Sequence, residues 1–222
     1  MKISCVIPAY NEEKCIAAVI AKLRPFVDEI IVVDDCSKDN TYNVAIGADA
    51  IVVRHIINRG QGAALRTGTQ LALDRGADII IHFDADDQFQ ASDIPEMLKP
   101  ILEGRADAVL GSRFLGKKSN LPKMKEYIIM PLGRFINRLF FNIRLTDPQS
   151  GFRILNRQSA LKLKIENDGM AHCSEIIYRL FKNNDRVVEV PITVIYHEYG
   201  QKLSGGFKII RDILVQAIIN DK

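Results

Sequence analysis

Three carboxylates stand together at Asp84, Asp86 and Asp87, followed by the amide of Gln88, and an apolar run from Ile79 to Phe83 leads straight into them. No charged residue interrupts that run, and its length suits a buried strand. Acids crowded at the end of a buried strand repel one another and are costly to take out of water, so something cationic normally balances them. Oxygen donors at Asp84, Asp86 and Gln88 suit a hard divalent ion, Mg²⁺ or Mn²⁺. The plainer alternative is a solvated loop in which one acid caps the next helix.

Four other polar clusters follow apolar runs in the same way. Residues 3–9 lead into Tyr10, Asn11 and Glu12, with Pro8 expected to end the strand because it cannot donate to a ladder. Residues 29–33 lead into Asp34 and Asp35, residues 50–54 into Asn58, Gly60 and Gly62, and residues 108–110 into Arg113. Helical patterns over about 12–24, 62–75 and 93–103 lie between these runs, with Asn11, Ser92 and Asp93 as N-cap candidates. The alternation predicts an α/β fold, a Rossmann-like and mostly parallel sheet with helices on both faces. Such sheets bind ligands outside the carboxyl ends of their strands, where all five clusters fall.

The loop Gly60-Gln61-Gly62-Ala63-Ala64-Leu65, with Asp84 further on, imitates a dinucleotide fingerprint. Leu65 occupies the third glycine position, the loop follows the third strand rather than the first, and the next strand carries three acids where a ribose needs one. A short glycine loop still allows backbone N–H groups to approach a phosphate, or it is a plain tight turn.

A chain of 222 residues, 47% apolar and 26% charged, is long enough to bury a real core and reads as one domain. A net charge of +3 is too small to indicate nucleic acid. Cys5, Cys15, Cys36 and Cys173 are scattered, which suits a reducing cytosol and neither a disulfide framework nor a zinc site. The sequence opens directly on a strand pattern, so no leader is expected, and it contains no run of about 18 apolar residues.

Residues 113–144 change character: eight basic residues stand against one acid, Glu126, interleaved with Tyr127, Phe135, Phe140, Phe141 and many aliphatic residues. The apolar positions cover more than one stripe, which favours a basic amphipathic helical insertion lying in a membrane interface over a core helix with a solvated basic face. RNA binding finds no second basic surface to support it. The segment Thr146 to Arg153 reads as a polar turn in which Ser150 and Arg153 either bind a phosphate or close the turn. A helix over 171–182, a strand over 186–196 with Pro191 marking an edge, a basic loop carrying Lys202, and a helix over 207–219 complete the chain.

As a set, these residues resemble a family 2 glycosyltransferase of the GT-A fold, and more narrowly the branch that transfers mannose or glucose to polyprenyl (dolichyl) phosphate. Pro8-Ala9-Tyr10-Asn11-Glu12 is similar to the family's opening motif at the nucleobase. Asp34-Asp35-Cys36-Ser37 is similar to its D-D-x-S, and Asn58 to Ala63 to the loop beside it. Asp84-Ala85-Asp86-Asp87-Gln88 is similar to the D-x-D-x-Q that holds Mn²⁺ or Mg²⁺ on the diphosphate. Gly111-Ser112-Arg113 and Asp147 to Arg153 are similar to segments flanking the acceptor phosphate.

The resemblance implies donor contacts from Pro8, Tyr10, Asn11, Glu12, Asp34, Asp35, Asn58, Gly60, Gly62 and Asp84. It implies catalytic roles for Asp86, Arg113, Ser150, Arg153 and Lys202, and an inverting transfer from a GDP-mannose or UDP-glucose type donor at the cytosolic face of a membrane. Residues 1–112 would hold the nucleotide sugar and 113–222 the acceptor, within one domain. Relatives that glycosylate a hydroxyl often carry a late E-D pair and Q-x-x-R-W; neither is present, and the chain has no tryptophan. A phosphate acceptor, with a second pKa of about 6, needs no strong base. Relatives often carry arginine where this chain has Thr146, and another near His197, whose task Lys202 would share. The alternatives are a family 2 enzyme acting on a saccharide or lipid-linked oligosaccharide hydroxyl, and a non-catalytic nucleotide-sugar-binding subunit.

Overall fold

A computed structural model describes residues 1–116, 145–169 and 171–195. Lys202, the expected helix over 207–219 and all but the first four residues of the 113–144 segment lie outside the described residues.

Seven strands form one sheet: β1 (Ile3–Ala9), β2 (Glu29–Asp34), β3 (Ile51–Arg54), β4 (Ile79–His82), β5 (Ala108–Ser112), β6 (Arg153–Asn156) and β7 (Val187–Pro191), in the order β3-β2-β1-β4-β6-β5-β7. All run the same way except β6, which pairs antiparallel to β4 and β5. The Ile- and Val-rich runs of β1, β2 and β4 are buried on both faces, as strands covered by helices on each side must be. One face packs on α1 (Ile16–Leu23) and α4 (Ile94–Leu102), through Val19, Ile20, Leu23, Ile94 and Met97. The other packs on α3 (Gln61–Asp74), α5 (Arg157–Lys162) and α6 (His172–Lys182), through Ala64, Leu65, Ile176 and Leu180. A short α2 (Thr41–Gly47) leads toward β3. Each fully buried Ile or Leu contributes on the order of 1.5–3 kcal/mol.

Four local expectations are revised. Pro8 does not stop β1 early but sits beside Val33 in a central strand. Val6 accepts from the Phe83 N–H. Backbone direction alternates along a strand, so the Pro8 nitrogen points to the same β4 side, beyond the end of that ladder at His82. Asn11 does not cap α1; it adopts a left-handed φ of 58°, and its Oδ1 accepts from the Lys38 N–H at 2.8 Å. Asp93 stands at the N-cap of α4 without a capping bond from its side chain, which accepts the Thr193 N–H at 2.7 Å instead. The expected strand 186–196 is shorter, and β7 does lie at the sheet edge, where Pro191 is tolerated.

The largest departure is β6. Residues 146–153 read as a turn, yet Arg153 opens a strand wedged between β4 and β5. A four-residue strand headed by an arginine lacks the apolar run that signals strand. Because β6 is reversed, the turn before it arrives at the carboxyl ends of β4 and β5, beside the acids.

Candidate active site

The acid loop is anchored from below by three rings. Phe83 at the end of β4, Phe89 beyond Gln88, and Phe152 just before β6 pack with centroids 5.0–5.7 Å apart. On this footing the three acids part company. Asp84 is partly buried; its Oδ1 accepts from the Gln61 side-chain amide at 2.9 Å, and its carboxylate lies against Gly151, where a Cβ would overlap it. Asp86 accepts from the Gln88 backbone N–H at 3.2 Å. Asp87 takes a left-handed φ of 59° and turns to Lys22 on α1, whose ammonium donates to both its oxygens at 2.7 and 2.8 Å.

Burial pushes the Asp84 carboxyl up to about 7, and the Asp86 and Cys173 charges add to the rise, against Arg153 and His172. A carboxyl raised mainly by burial, and further by a neighbouring acid, gains from a nearby positive charge. Among the described residues, no three His, Cys, Asp or Glu side chains gather as a metal site. A hard ion that completes its shell with ligand and water oxygens needs no such cage. The donors are all oxygen, and the missing side chain at Gly151 leaves the Asp84 carboxylate its place beside the turn. Asp84, Asp86 and Gln88 therefore fit Mg²⁺ or Mn²⁺.

Beside the acids, at the ends of β1 to β3, Tyr10 stands 41% exposed just past β1. Glu12 is half-buried, its N–H held by Thr41 Oγ1 at 2.8 Å, and burial with the charges of Asp86 and Asp39 raises its carboxyl to about 7. Asp34 and Asp35 are both buried and already engaged. Asp34 accepts from Ser37 N–H at 3.2 Å, and Arg54 Nε lies 3.0 Å from it. Asp35 binds His55 Nδ1 at 2.7 Å and accepts the N–H groups of Arg59 and Gly60, while Asn58 donates to its carbonyl. These two acids hold the rim loops in place.

The glycines of that loop gain a packing reason. A Cβ at Gly60 would overlap the carbonyl of Asp168, and one at Gly62 the carbonyl of Asn167, so the close approach of residues 167–168 requires glycine at both positions. Arg59 and Arg66 clasp Asp168 at 3.1 and 2.7 Å and bind this closure together.

The other flank of the acids is cationic. Arg113 donates through Nε and Nη2 to the two oxygens of Asp147, each at 2.6 Å, the bidentate arrangement that fixes a guanidinium plane. Ser150 is buried, with no partner for its hydroxyl among the described residues. Arg153 is fully buried on β6 opposite His82, so its charge lies behind Asp84 rather than on the open rim. His82, buried, with Arg153 and His172 nearby, is held neutral with its pKa lowered to about 3. Burial opposes ionisation of Cys173, but His172, with Nε2 at 3.4 Å, and Arg153 outweigh it and bring the thiol to about 6.

Residues 4–163 match the family described as Glycosyl transferase family 2. The chain is a family 2 glycosyltransferase. The glycosyltransferase is 37% identical to the UDP-N-acetylglucosamine--dolichyl-phosphate N-acetylglucosaminyltransferase of Methanococcus voltae, with 95% of this chain and 94% of that protein aligned. It is 32% identical to the undecaprenyl-phosphate mannosyltransferase of Micrococcus luteus, over 99% and 92% of the two chains. Its fold matches the crystal structure of glucosyl-3-phosphoglycerate synthase from Mycobacterium tuberculosis in complex with Mn²⁺, UDP-glucose and phosphoglyceric acid. That superposition has a TM-score of 0.76 at 23% identity, covering 97% of this chain and 79% of the other. The GT-A architecture expected from the sequence is thus present.

Several residues of the site were not singled out from the sequence. Gln61 stands in a glycine turn in the sequence, and in the fold its amide donates to Asp84. Glu189 lies in β7, where its carboxylate holds the turn that carries Asp147. An acid inside the run Val-Val-Glu-Val-Pro was a signal available in the sequence, since a strand that buries a carboxylate must give it donors. Asp168 gave no such signal, because only the folded chain brings it to Arg59 and Arg66.

Proposed function

We propose that this glycosyltransferase moves a hexose, with inversion, from a nucleotide-diphosphate sugar to a polyprenyl phosphate, using Mg²⁺ or Mn²⁺. The observation that carries the reading is a single turn, Asp147 to Gly151, with a cation at one end and an anion at the other. Asp147 grips Arg113, and Gly151 lies against Asp84. The turn thereby sets an anion-binding group beside a metal-binding group, as a phosphate acceptor meeting a metal-held diphosphate requires. The printed names of relatives that act on dolichyl and undecaprenyl phosphates point the same way.

In this reading Asp84, Asp86 and Gln88 hold the cation, which when bound neutralises the charge that develops on the departing nucleoside diphosphate. Pro8, Tyr10, Asn11 and Glu12 line the nucleoside side, and Asp34, Asp35 and Asn58 fix the loops around it. Gln61 keeps Asp84 pointed at the site. Arg113, Ser150 and Lys202 bind the acceptor phosphate, and Arg153 supplies the buried positive charge behind Asp84. The acceptor is already anionic near neutral pH, with a second pKa of about 6, so no side chain need remove a proton from it. Asp147, with both oxygens on Arg113, has no part in proton transfer. The basic, apolar segment 113–144 lays the acceptor half, residues 113–222, on the cytosolic face of a membrane, while residues 1–112 hold the donor. Among the described residues no helix is long and apolar enough to cross a membrane.

The test is direct. Purified protein, Mn²⁺ or Mg²⁺ and polyprenyl phosphate are incubated with a panel of radiolabelled donors including GDP-mannose and UDP-glucose. The expected product is organic-extractable and appears with one donor class. Label entering only water-soluble glycan sinks the proposed acceptor, and donor binding without any product favours a non-catalytic subunit.

A further inference from the structure

Glu189 faces a polar knot at the edge of the sheet. Its carboxylate accepts the backbone N–H of Thr146 at 2.8 and 2.9 Å, the Thr146 hydroxyl at 3.0 Å and the Asp147 N–H at 2.9 Å. Thr146 Oγ1 in turn lies 2.6 Å from Ser112 Oγ, at the end of β5, one residue before Arg113. Asp147, fully buried, takes Arg113 through Nε, Nη2 and the backbone N–H. The chain of bonds runs without a gap from β7 through the turn to the arginine. A carboxylate that collects several donors in a part-buried setting holds them firmly, since each charge-assisted bond is roughly twice as strong as a neutral one. The bonds lead from Glu189 through Asp147 to Arg113, so the knot serves the cationic end.

We propose that Glu189 is a positioning residue for the acceptor phosphate: by fixing the Thr146–Asp147 turn it sets the plane in which Arg113 is presented. The proposal rests on the reading of Arg113 as the phosphate-binding group. The Thr146 hydroxyl and N–H tie β7 to Ser112. Glu189→Gln keeps the size of the side chain but replaces one acceptor oxygen with an amide that repels the Thr146 N–H, so the turn loses its register and Arg113 its plane.

The experiment uses the full-length protein labelled with ¹⁵N and follows the Nε–Hε resonance of Arg113, assigned by its loss in Arg113→Lys. In parallel, KM is measured separately for donor and for polyprenyl phosphate. E189Q is expected to shift the Arg113 resonance and to raise the acceptor KM by roughly 10- to 100-fold with the donor KM unchanged, the scale on which a misplaced binding group acts. A structural role alone would lower the melting temperature without separating the two KM values. If the Arg113 resonance does not move, or moves while the acceptor KM stays put, the inference is overturned. If the wild type makes no polyprenyl-linked product, the functional reading falls, and the resonance by itself decides whether Glu189 positions Arg113. Should E189Q not fold, Thr146→Val, which removes only the hydroxyl link, carries the same two readouts with the same expected directions.

Discussion

Gly151 lies face to face with the carboxylate of Asp84: the Asp84 Cγ would stand 2.8 Å from a Cβ on residue 151, closer than such atoms pack. Gly151→Ala must therefore displace Asp84, because the alternative is to move the turn that also holds Arg113. The expected result is a loss of divalent-ion affinity measured by titration calorimetry, and of turnover by two orders of magnitude or so, the cost of a misplaced reacting group. Unchanged Mn²⁺ affinity in the folded variant counts against the placement of the metal at Asp84.

The two neighbouring acids Asp86 and Asp87 are expected to behave differently. Asp86→Ala should abolish turnover and weaken Mn²⁺ binding while unfolding in urea within about 1 kcal/mol of wild type, as substitutions away from the core do. Asp87→Asn should retain both activity and Mn²⁺ binding. It removes only a pair to Lys22, whose side chain is 48% exposed, a kind of contact contributing about 0–1 kcal/mol. Equal loss in both variants would show that the left-handed turn at Asp87 does not separate it from the site.

Phe152 has no exposed surface and touches both Phe83 and Phe89. Phe152→Ala should cost about 3–5 kcal/mol in urea unfolding, the range for emptying a large aromatic from a core. Activity should fall further than the stability loss alone explains, since the same rings carry the acid loop. A loss under 1 kcal/mol would mean that the cluster is not what anchors the loop.

Asp107 should contribute to acid sensitivity. Hydrogen bonds from the Arg186 guanidinium and backbone, with help from Asn156, hold its carboxyl well below the usual carboxylate range. A group whose folded pKa is depressed contributes stability that is complete above its unfolded pKa, about 3.9, and is lost as the pH falls below it toward the folded value. Asp107→Asn should be less stable than wild type at pH 7, and the gap should close as the pH is lowered through 4 and below. A gap that stays constant from pH 7 to 2.5 would refute the assignment.

The alternation of strands and helices up to β5 and the five polar clusters were legible in the sequence because both depend on local pattern. Buried parallel strands are apolar throughout, and the carboxyl end of each is where the chain first turns polar. Ile79 to Phe83 followed by Asp84, Asp86 and Gln88 could be placed on one edge from that alone, and the ordered motifs were specific enough to name the family.

What only the tertiary structure decided is which polar group faces which. Asp34 and Asp35 are adjacent acids in sequence, and the fold gives them different partners, Arg54 for one and His55 with the Asn58 loop for the other. Asp84 and Asp87 differ by three positions and by nothing in residue type, yet a positive φ sends one to Lys22 while Gln61 and Gly151 hold the other. The reversed strand β6 was invisible for the same reason that it matters. It is a four-residue element stabilised by neighbours far away in the chain, and it brings Asp147, Gly151 and Arg153 to the acids. Local sequence sets where charge must emerge from the core; contacts between distant segments set its direction, because a charge near the core is tolerated only where the fold supplies a partner.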